Sequence, residues 1–185
     1  KKCFPHLKIG GPAVSWPTNP WLERFFAAMT EGERVPLDFY SWHNYFTDPK
    51  TIAENADYVR TQLDRWGYTE TESICNEWNY VQGWSNDEWA YTIKAEQDLK
   101  GASFVTAAMS LCQAAPLDML MYYDARPCAM NGIFSDDFKA LKGYYSFLAF
   151  RRLKELGAYV PVMTEDRALY GCAATDGQKH ALMLT

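Results

Sequence analysis

A chain of 185 residues, nearly half of them apolar, can bury a sizeable single core, which excludes a disordered segment. Its net charge of −5, with no run of Lys or Arg, excludes the electrostatic footprint of a nucleic-acid or anionic-membrane binder. A neutral ligand fits better, and no nucleic-acid or membrane partner is expected.

Short apolar runs alternate four times with amphipathic stretches, as repeated βα units on a parallel sheet do. The first run, Leu7-Lys8-Ile9, ends at Gly10-Gly11-Pro12. Asn19-Pro20 then supplies an N-cap and a helix-starting proline, Trp21, Leu22, Phe25, Phe26 and Met29 give the helix one apolar face, and Gly32 stops it. The second run spans Val35 to Tyr45. Asp48-Pro49 starts the next helix, whose apolar residues Ile52, Ala56, Val59, Leu63 and Trp66 recur at helical spacing until Gly67. The third run, Glu72 to Tyr80, leads through a Trp-rich loop to Trp89 and then to a helix from about Ile93 to Gln113. Small residues there, Gly101-Ala102 and Ala107-Ala108, allow close packing on a sheet. The fourth run, Leu117 to Tyr123, precedes a loop to about Phe138 and a helix through Leu148, Leu153 and Leu156 that ends at Gly157. After Pro161 the period becomes two. The segments Ala168 to Ala174 and His180 to Leu184 are joined by Thr175-Asp176-Gly177-Gln178, a strong hairpin signal that reads as the opening of a β-sandwich.

Functional groups in parallel βα architectures collect where strands end, because the βα loops converge there. The third run ends in Cys75-Asn76-Glu77-Trp78-Asn79, a carboxylate flanked by amides; alternatively, Glu77 simply leaves the sheet for solvent. The second ends in Phe39 to Tyr45, where Ser41, His43 and Tyr45 share a face because side chains two apart do. His43 there is either a hydrogen-bonded core residue or a catalytic one. A tyrosine that reaches a neighbouring strand's carboxylate would fix its rotamer and stabilise its anion.

Seven Trp and twelve Tyr exceed what core filling needs, and flat amphipathic rings stack on sugars and other planar ligands. The five cysteines, Cys3, Cys75, Cys112, Cys128 and Cys172, form no CxxC pair and no metal-ligand spacing with the three histidines, so they read as buried thiols. The N-terminus, Lys1-Lys2, is followed by no long apolar run, so neither a signal peptide nor a membrane span is expected in the visible chain. Such a start can lie inside a longer protein, which leaves the compartment open, cytoplasmic or secreted.

Three motifs together resemble glycoside hydrolase family 39, the clan-A group of β-xylosidases and α-L-iduronidases, over most of residues 4–185. Leu7-Lys8-Ile9-Gly10-Gly11-Pro12-Ala13 is similar to the family's fifth barrel strand, Asp38-Phe39-Tyr40-Ser41-Trp42-His43-Asn44-Tyr45 to its sixth, and Glu77-Trp78-Asn79 to the end of its seventh. The resemblance implies an α/β fold: residues 1–161 form strands 5 to 8 of a (β/α)8 TIM barrel, and residues 162–185 begin a C-terminal β-sandwich. It implies a retaining O-glycosidase, β-xylosidase-like, with Glu77 as catalytic nucleophile. Tyr45 matches the tyrosine that hydrogen-bonds the nucleophile, and His43 matches a sugar-contacting residue. Tyr123, in Tyr122-Tyr123-Asp124, stands where the family commonly has a Trp, a departure that bears on which sugar is bound. Asn79 completes the Glu-aromatic-Asn motif, and Trp42, Trp78 and Trp84 offer further stacking surface, with a helix–strand packing contact as the alternative that at least one of them is expected to take.

Retaining hydrolysis needs two carboxyls, one to attack and one to protonate the leaving oxygen, about 5 Å apart. By the resemblance the second, the acid/base Glu, lies before Lys1, and Asp124 and Asp136 are the positional substitutes. No metal or organic cofactor is needed, since carboxyls fill both roles. The partner is a carbohydrate substrate. Four of eight strands cannot close a barrel, so edge strands and an apolar face are expected to be open, to be covered by a second copy or by the remaining half. The isolated chain is accordingly expected to be inactive alone. The rival readings are a non-catalytic carbohydrate-binding or pseudo-enzyme module and a β/α scaffold for protein contacts.

Overall fold

A computed structural model describes residues 3–127 and 132–185, so Lys1, Lys2 and Cys128 lie outside the described residues. In chain order the elements are β1 (Gly10–Val14), α1 (Trp21–Thr30), β2 (Phe39–Phe46), α2 (Lys50–Arg65), β3 (Glu72–Tyr80), α3 (Asn86–Glu96), α4 (Leu99–Leu111), β4 (Met119–Tyr122), α5 (Lys142–Leu156), β5 (Ala158–Val160), β6 (Gly171–Thr175) and β7 (His180–Leu184). The first four strands form one wholly parallel sheet in sequence order, and the last three form an antiparallel sheet.

The two expected proline-led helix starts are present. Asn19 Oδ1 accepts from the backbone N–H of Trp21 at 2.9 Å, and Asp48 Oδ1 accepts from that of Lys50 at 2.9 Å. Each cap satisfies a donor that the first helical turn leaves without a partner. Leu22 and Phe26 of α1, the α2 row Ile52, Ala56, Val59 and Leu63, and Phe104, Val105 and Ala108 of α4 bury themselves on one face of the sheet. There they meet Tyr40, Trp42, Cys75, Trp78 and Tyr80. Full burial of each large apolar side chain contributes about 1.5–3 kcal/mol, so this layer fixes the sheet. The other face is open at one end, where Met119 and Met121 of the edge strand β4 are exposed.

Three sequence expectations are corrected. The first strand is Gly10–Val14 and not Leu7-Lys8-Ile9, because a Cβ on Gly10 would fall 2.0 Å from the carbonyl oxygen of Phe39; the glycine lets β1 close on β2. The segment through Trp89 is not a loop throughout. Helix α3 begins at Asn86, with the Glu88 carboxylate accepting from the Ser85 backbone N–H (3.2 Å) and hydroxyl (2.6 Å), and the long helix expected next breaks between α3 and α4. Gly101 serves that break rather than the sheet, since its would-be Cβ lies 2.4 Å from the Glu96 carbonyl oxygen.

The antiparallel sheet begins at Ala158, inside the segment assigned by sequence to the parallel unit. It packs on α5 through Leu153, Cys172, Ala174 and Met183. Its hairpin is the expected one: Gly177 has a φ of 90°, and Asp176 Oδ1 accepts from the N–H groups of Gln178 and Lys179 at 2.9 and 2.7 Å. Of the cysteines, Cys75, Cys112 and Cys172 are buried free thiols, whereas Cys3 is exposed.

Candidate active site

Parity of the strands decides what faces the mouth. On β2, Tyr40, Trp42 and Asn44 are buried on the helix side, so Ser41, His43 and Tyr45 face the other way. On β3 the register with β2 runs Trp42 to Cys75 and then His43 to Glu77, leaving Asn76 unopposed. The register with β4 slips over the same stretch, from Cys75 with Leu120 to Trp78 with Tyr122. One extra residue in β3 thus puts both Cys75 and Trp78 on the helix side, three apart, and turns Glu77 to the face that carries His43 and Tyr45.

There the Tyr45 hydroxyl donates to Glu77 Oε2 at 2.8 Å, and His43 Nδ1 stands 3.4 Å from the same oxygen. Burial, and then the carboxylate beside it, push the Tyr45 phenol far above its ordinary range, so it stays protonated and donates. His43 Nε2 is buried and has no hydrogen-bond partner among the described residues. Glu77, half-buried, keeps a second oxygen for other use. A carboxylate held in one rotamer by a phenol and neighboured by an imidazole is equipped to attack an electrophilic carbon or to bind a polyol.

The remaining predicted site residues separate into two groups. Tyr123 is half-buried at the end of β4, with Arg126 Nη2 donating to its hydroxyl at 3.2 Å. Trp84 is 65% exposed, packs edge-on against Tyr45 with ring centroids 5.8 Å apart, and lies flat on Trp89 at 5.4 Å. These two stand with Glu77, His43 and Tyr45. Trp42 and Trp78 do not: both are fully buried in the helix-facing core, Trp42 donating to Ser73 Oγ at 3.1 Å and Trp78 packing edge-on against Tyr122. For these two the stacking surface gives way to the alternative of helix–strand core packing, expected for at least one of them and found for both, because their strand neighbours own the other face. Asn79 is also buried, its Nδ2 donating to the Tyr123 carbonyl oxygen at 2.9 Å, so it ties β4's end to β3 instead of meeting a ligand.

Neither positional substitute for the second carboxyl stands free at the mouth. Asp124 accepts from the Arg126 Nε at 2.6 Å and from its backbone N–H at 2.9 Å, and Asp136 is exposed beyond Ile133. Sequence reading missed Arg126, which joins Asp124 to Tyr123, and Trp89, which backs Trp84. It also missed Glu96. This carboxyl is 1% exposed, its two oxygens have no hydrogen-bond partner among the described residues, and burial followed by the nearby Asp124 pushes it up to about 8.

No protein-family model matches the chain. Over 64 residues it is 34% identical to a β-xylosidase of Geobacillus stearothermophilus, a match covering 35% of this chain and 12% of that protein. Among solved structures it resembles a glucosidase from Croceicoccus marinus, with a TM-score of 0.78 and 24% identity over 100% of this chain and 40% of the other. A monomeric β-xylosidase from Caulobacter crescentus CB15 gives a TM-score of 0.73 and 15% identity over 98% and 39%. The chain thus spans about two fifths of the solved proteins it resembles. It resembles the glycoside hydrolases, and its mixed α/β fold with a parallel sheet is that of glycosidase domains.

Proposed function

We propose that this chain carries the nucleophile side of a retaining glycoside hydrolase site, β-xylosidase-like and of the family 39 kind, with Glu77 attacking the anomeric carbon. On this reading β1 to β4 are strands 5 to 8 of a (β/α)8 barrel, and the sheet reaching through residues 162–185 opens a β-sandwich. The observation that carries it is the 2.8 Å hydrogen bond from Tyr45 to Glu77. A nucleophile must be fixed in one rotamer and open to its substrate; this contact supplies the first while Glu77 keeps partial exposure.

In the first step a Glu77 oxygen forms a bond to the anomeric carbon as the bond to the leaving oxygen breaks, giving a glycosyl ester; water then cleaves the ester and the carboxylate returns. His43 and Tyr123 contact the bound sugar. The proton for the leaving oxygen comes from a second carboxyl, which this reading assigns to residues outside this chain, preceding Lys1. Both chemical roles fall to carboxyls, so no cofactor enters.

An activated 2-deoxy-2-fluoro xyloside tests the assignment without that second carboxyl, because a dinitrophenolate leaves unprotonated. Mass mapping of the labelled protein is expected to find the sugar on the peptide containing Glu77 and no label in Glu77→Gln. Attachment to any other residue removes the assignment. Sugar binding with no label at all favours a non-catalytic carbohydrate-binding module.

A further inference from the structure

The residue that carries the carboxylate is also held from beneath the sheet. Cys75 Sγ donates to the Glu77 backbone carbonyl oxygen at 3.5 Å, reaching across Asn76. The two ends of this bond bracket the one residue of β3 that has no counterpart on β2. The register with β4 slips over the same stretch, so the strand's own ladder is interrupted there and holds the backbone less firmly. The side-chain oxygen of Asn76 adds no hold, since Oδ1 is buried without a hydrogen-bond partner among the described residues.

We propose that Cys75 is a positioning residue, whose thiol clamps the interrupted segment of β3 and so aims the Glu77 carboxylate at the face that carries His43 and Tyr45. Its consequence for rate rests on the glycosidase reading, to which it adds a group that touches no substrate. Cys75 is fully buried, opposite Trp42, in the layer beneath the helices. A thiol suits that place, because it packs as a small apolar group and still has a proton to share. Burial, with Cys112 as the next influence, pushes the thiol well above its ordinary range, so it keeps that proton. Fixing the Glu77 carbonyl restricts rotation about the Glu77 Cα, from which the carboxylate hangs. From the mouth side the Tyr45 hydroxyl holds Glu77 Oε2, so the residue is gripped at its backbone from one face and at its side chain from the other. A single S–H bond is weak, but reactivity falls steeply with misplacement, by about a hundredfold per ångström. The clamp therefore shows in rate before it shows in stability.

The test compares Cys75→Ala, which deletes the donor, with Cys75→Ser, which keeps one, and with Cys112→Ala, which removes a second buried thiol from the same core. Should Cys75→Ala not fold, Cys75→Val fills the space without a donor. Labelling by the activated fluoro-xyloside at saturation is expected to be about five- to tenfold slower in Cys75→Ala, the scale of one lost hydrogen bond. The concentration giving half the maximal rate should stay within about twofold, because aim and not ground-state binding is lost. Cys75→Ser should recover part of the rate, and Cys112→Ala should label like wild type. An unchanged rate in Cys75→Ala, or equal slowing in Cys112→Ala, overturns the proposal. The bond itself is read without any sugar in the S–H stretching band of the infrared spectrum. The component that disappears in Cys75→Ser should lie below those of the other thiols; a component at the frequency of an unbonded thiol overturns the proposal as well. A lowered band in a wild-type chain that takes no label would sink the glycosidase chemistry and leave the clamp on Glu77 standing.

Discussion

Tyr45 and Glu77 meet diagonally: the strand register sets Glu77 opposite His43 and Tyr45 opposite Asn79, yet the Tyr45 hydroxyl reaches back to Glu77 Oε2 at 2.8 Å. A hydrogen bond to a charged group contributes about 1.5–3 kcal/mol. Tyr45→Phe should therefore slow labelling of Glu77 by the activated fluoro-xyloside roughly ten- to hundredfold, with the folded fraction unchanged by circular dichroism. An unaltered rate would show that the phenol does not hold the reactive carboxylate.

The two kinds of tryptophan should separate by stability. Trp42 is wholly buried and hydrogen-bonded to Ser73, so Trp42→Ala leaves a large cavity and should cost about 3–5 kcal/mol in urea unfolding. Trp84→Ala, at an exposed position, should stay within about 1 kcal/mol. Similar losses in the two variants would contradict the division into core and rim.

Glu96 gives a signed pH dependence. Its carboxyl titrates near 4.5 in an unfolded chain and at about 8 when folded, because burial and Asp124 penalise the anion. The folded state thus holds the proton more tightly, and the group's contribution to stability is complete below pH 4.5 and is lost as pH rises to about 8. At about 1.4 kcal/mol per unit, the loss has an upper bound of about 5 kcal/mol. Chemical denaturation from pH 5 to 8 should find wild type losing stability and Glu96→Gln following a flatter course. Parallel slopes would mean that Glu96 is not the group responsible.

Asn79 is predicted to act through position. Its side-chain amide donates to the Tyr123 carbonyl, and its Oδ1 accepts from the Tyr80 N–H at 2.8 Å. Asn79→Ala leaves the part-buried Tyr123 carbonyl and the buried Tyr80 N–H without these bonds and should lower stability by about 1–3 kcal/mol in denaturant titration. An unchanged midpoint would remove the tie between β3 and β4.

Much of this arrangement is legible in the sequence. The α2 row, the proline-led caps, β3 and the hairpin at Asp176-Gly177 follow from local periodicity and turn chemistry, and all are present. Ser41, His43 and Tyr45 share a face as strand parity requires, and the same parity already turned Trp42 the other way. The start of α3 was also written locally, in the Ser85-to-Glu88 spacing, but aromatic density around it reads as loop. What sequence does not carry is pairing. The shift of β1 to Gly10–Val14 depends on a close approach to Phe39, and the orientation of Glu77 depends on a residue that neither neighbouring strand matches.

That unmatched residue makes the chemistry of this sheet a question of odd and even. Removing Asn76 would preserve every side chain proposed to touch substrate, yet either Glu77 would swing into the hydrocarbon beneath the helices or Trp78 would be driven out into water. The loops can lengthen and shorten without such a choice. Between Cys75 and Trp78 the count of residues is itself part of the site.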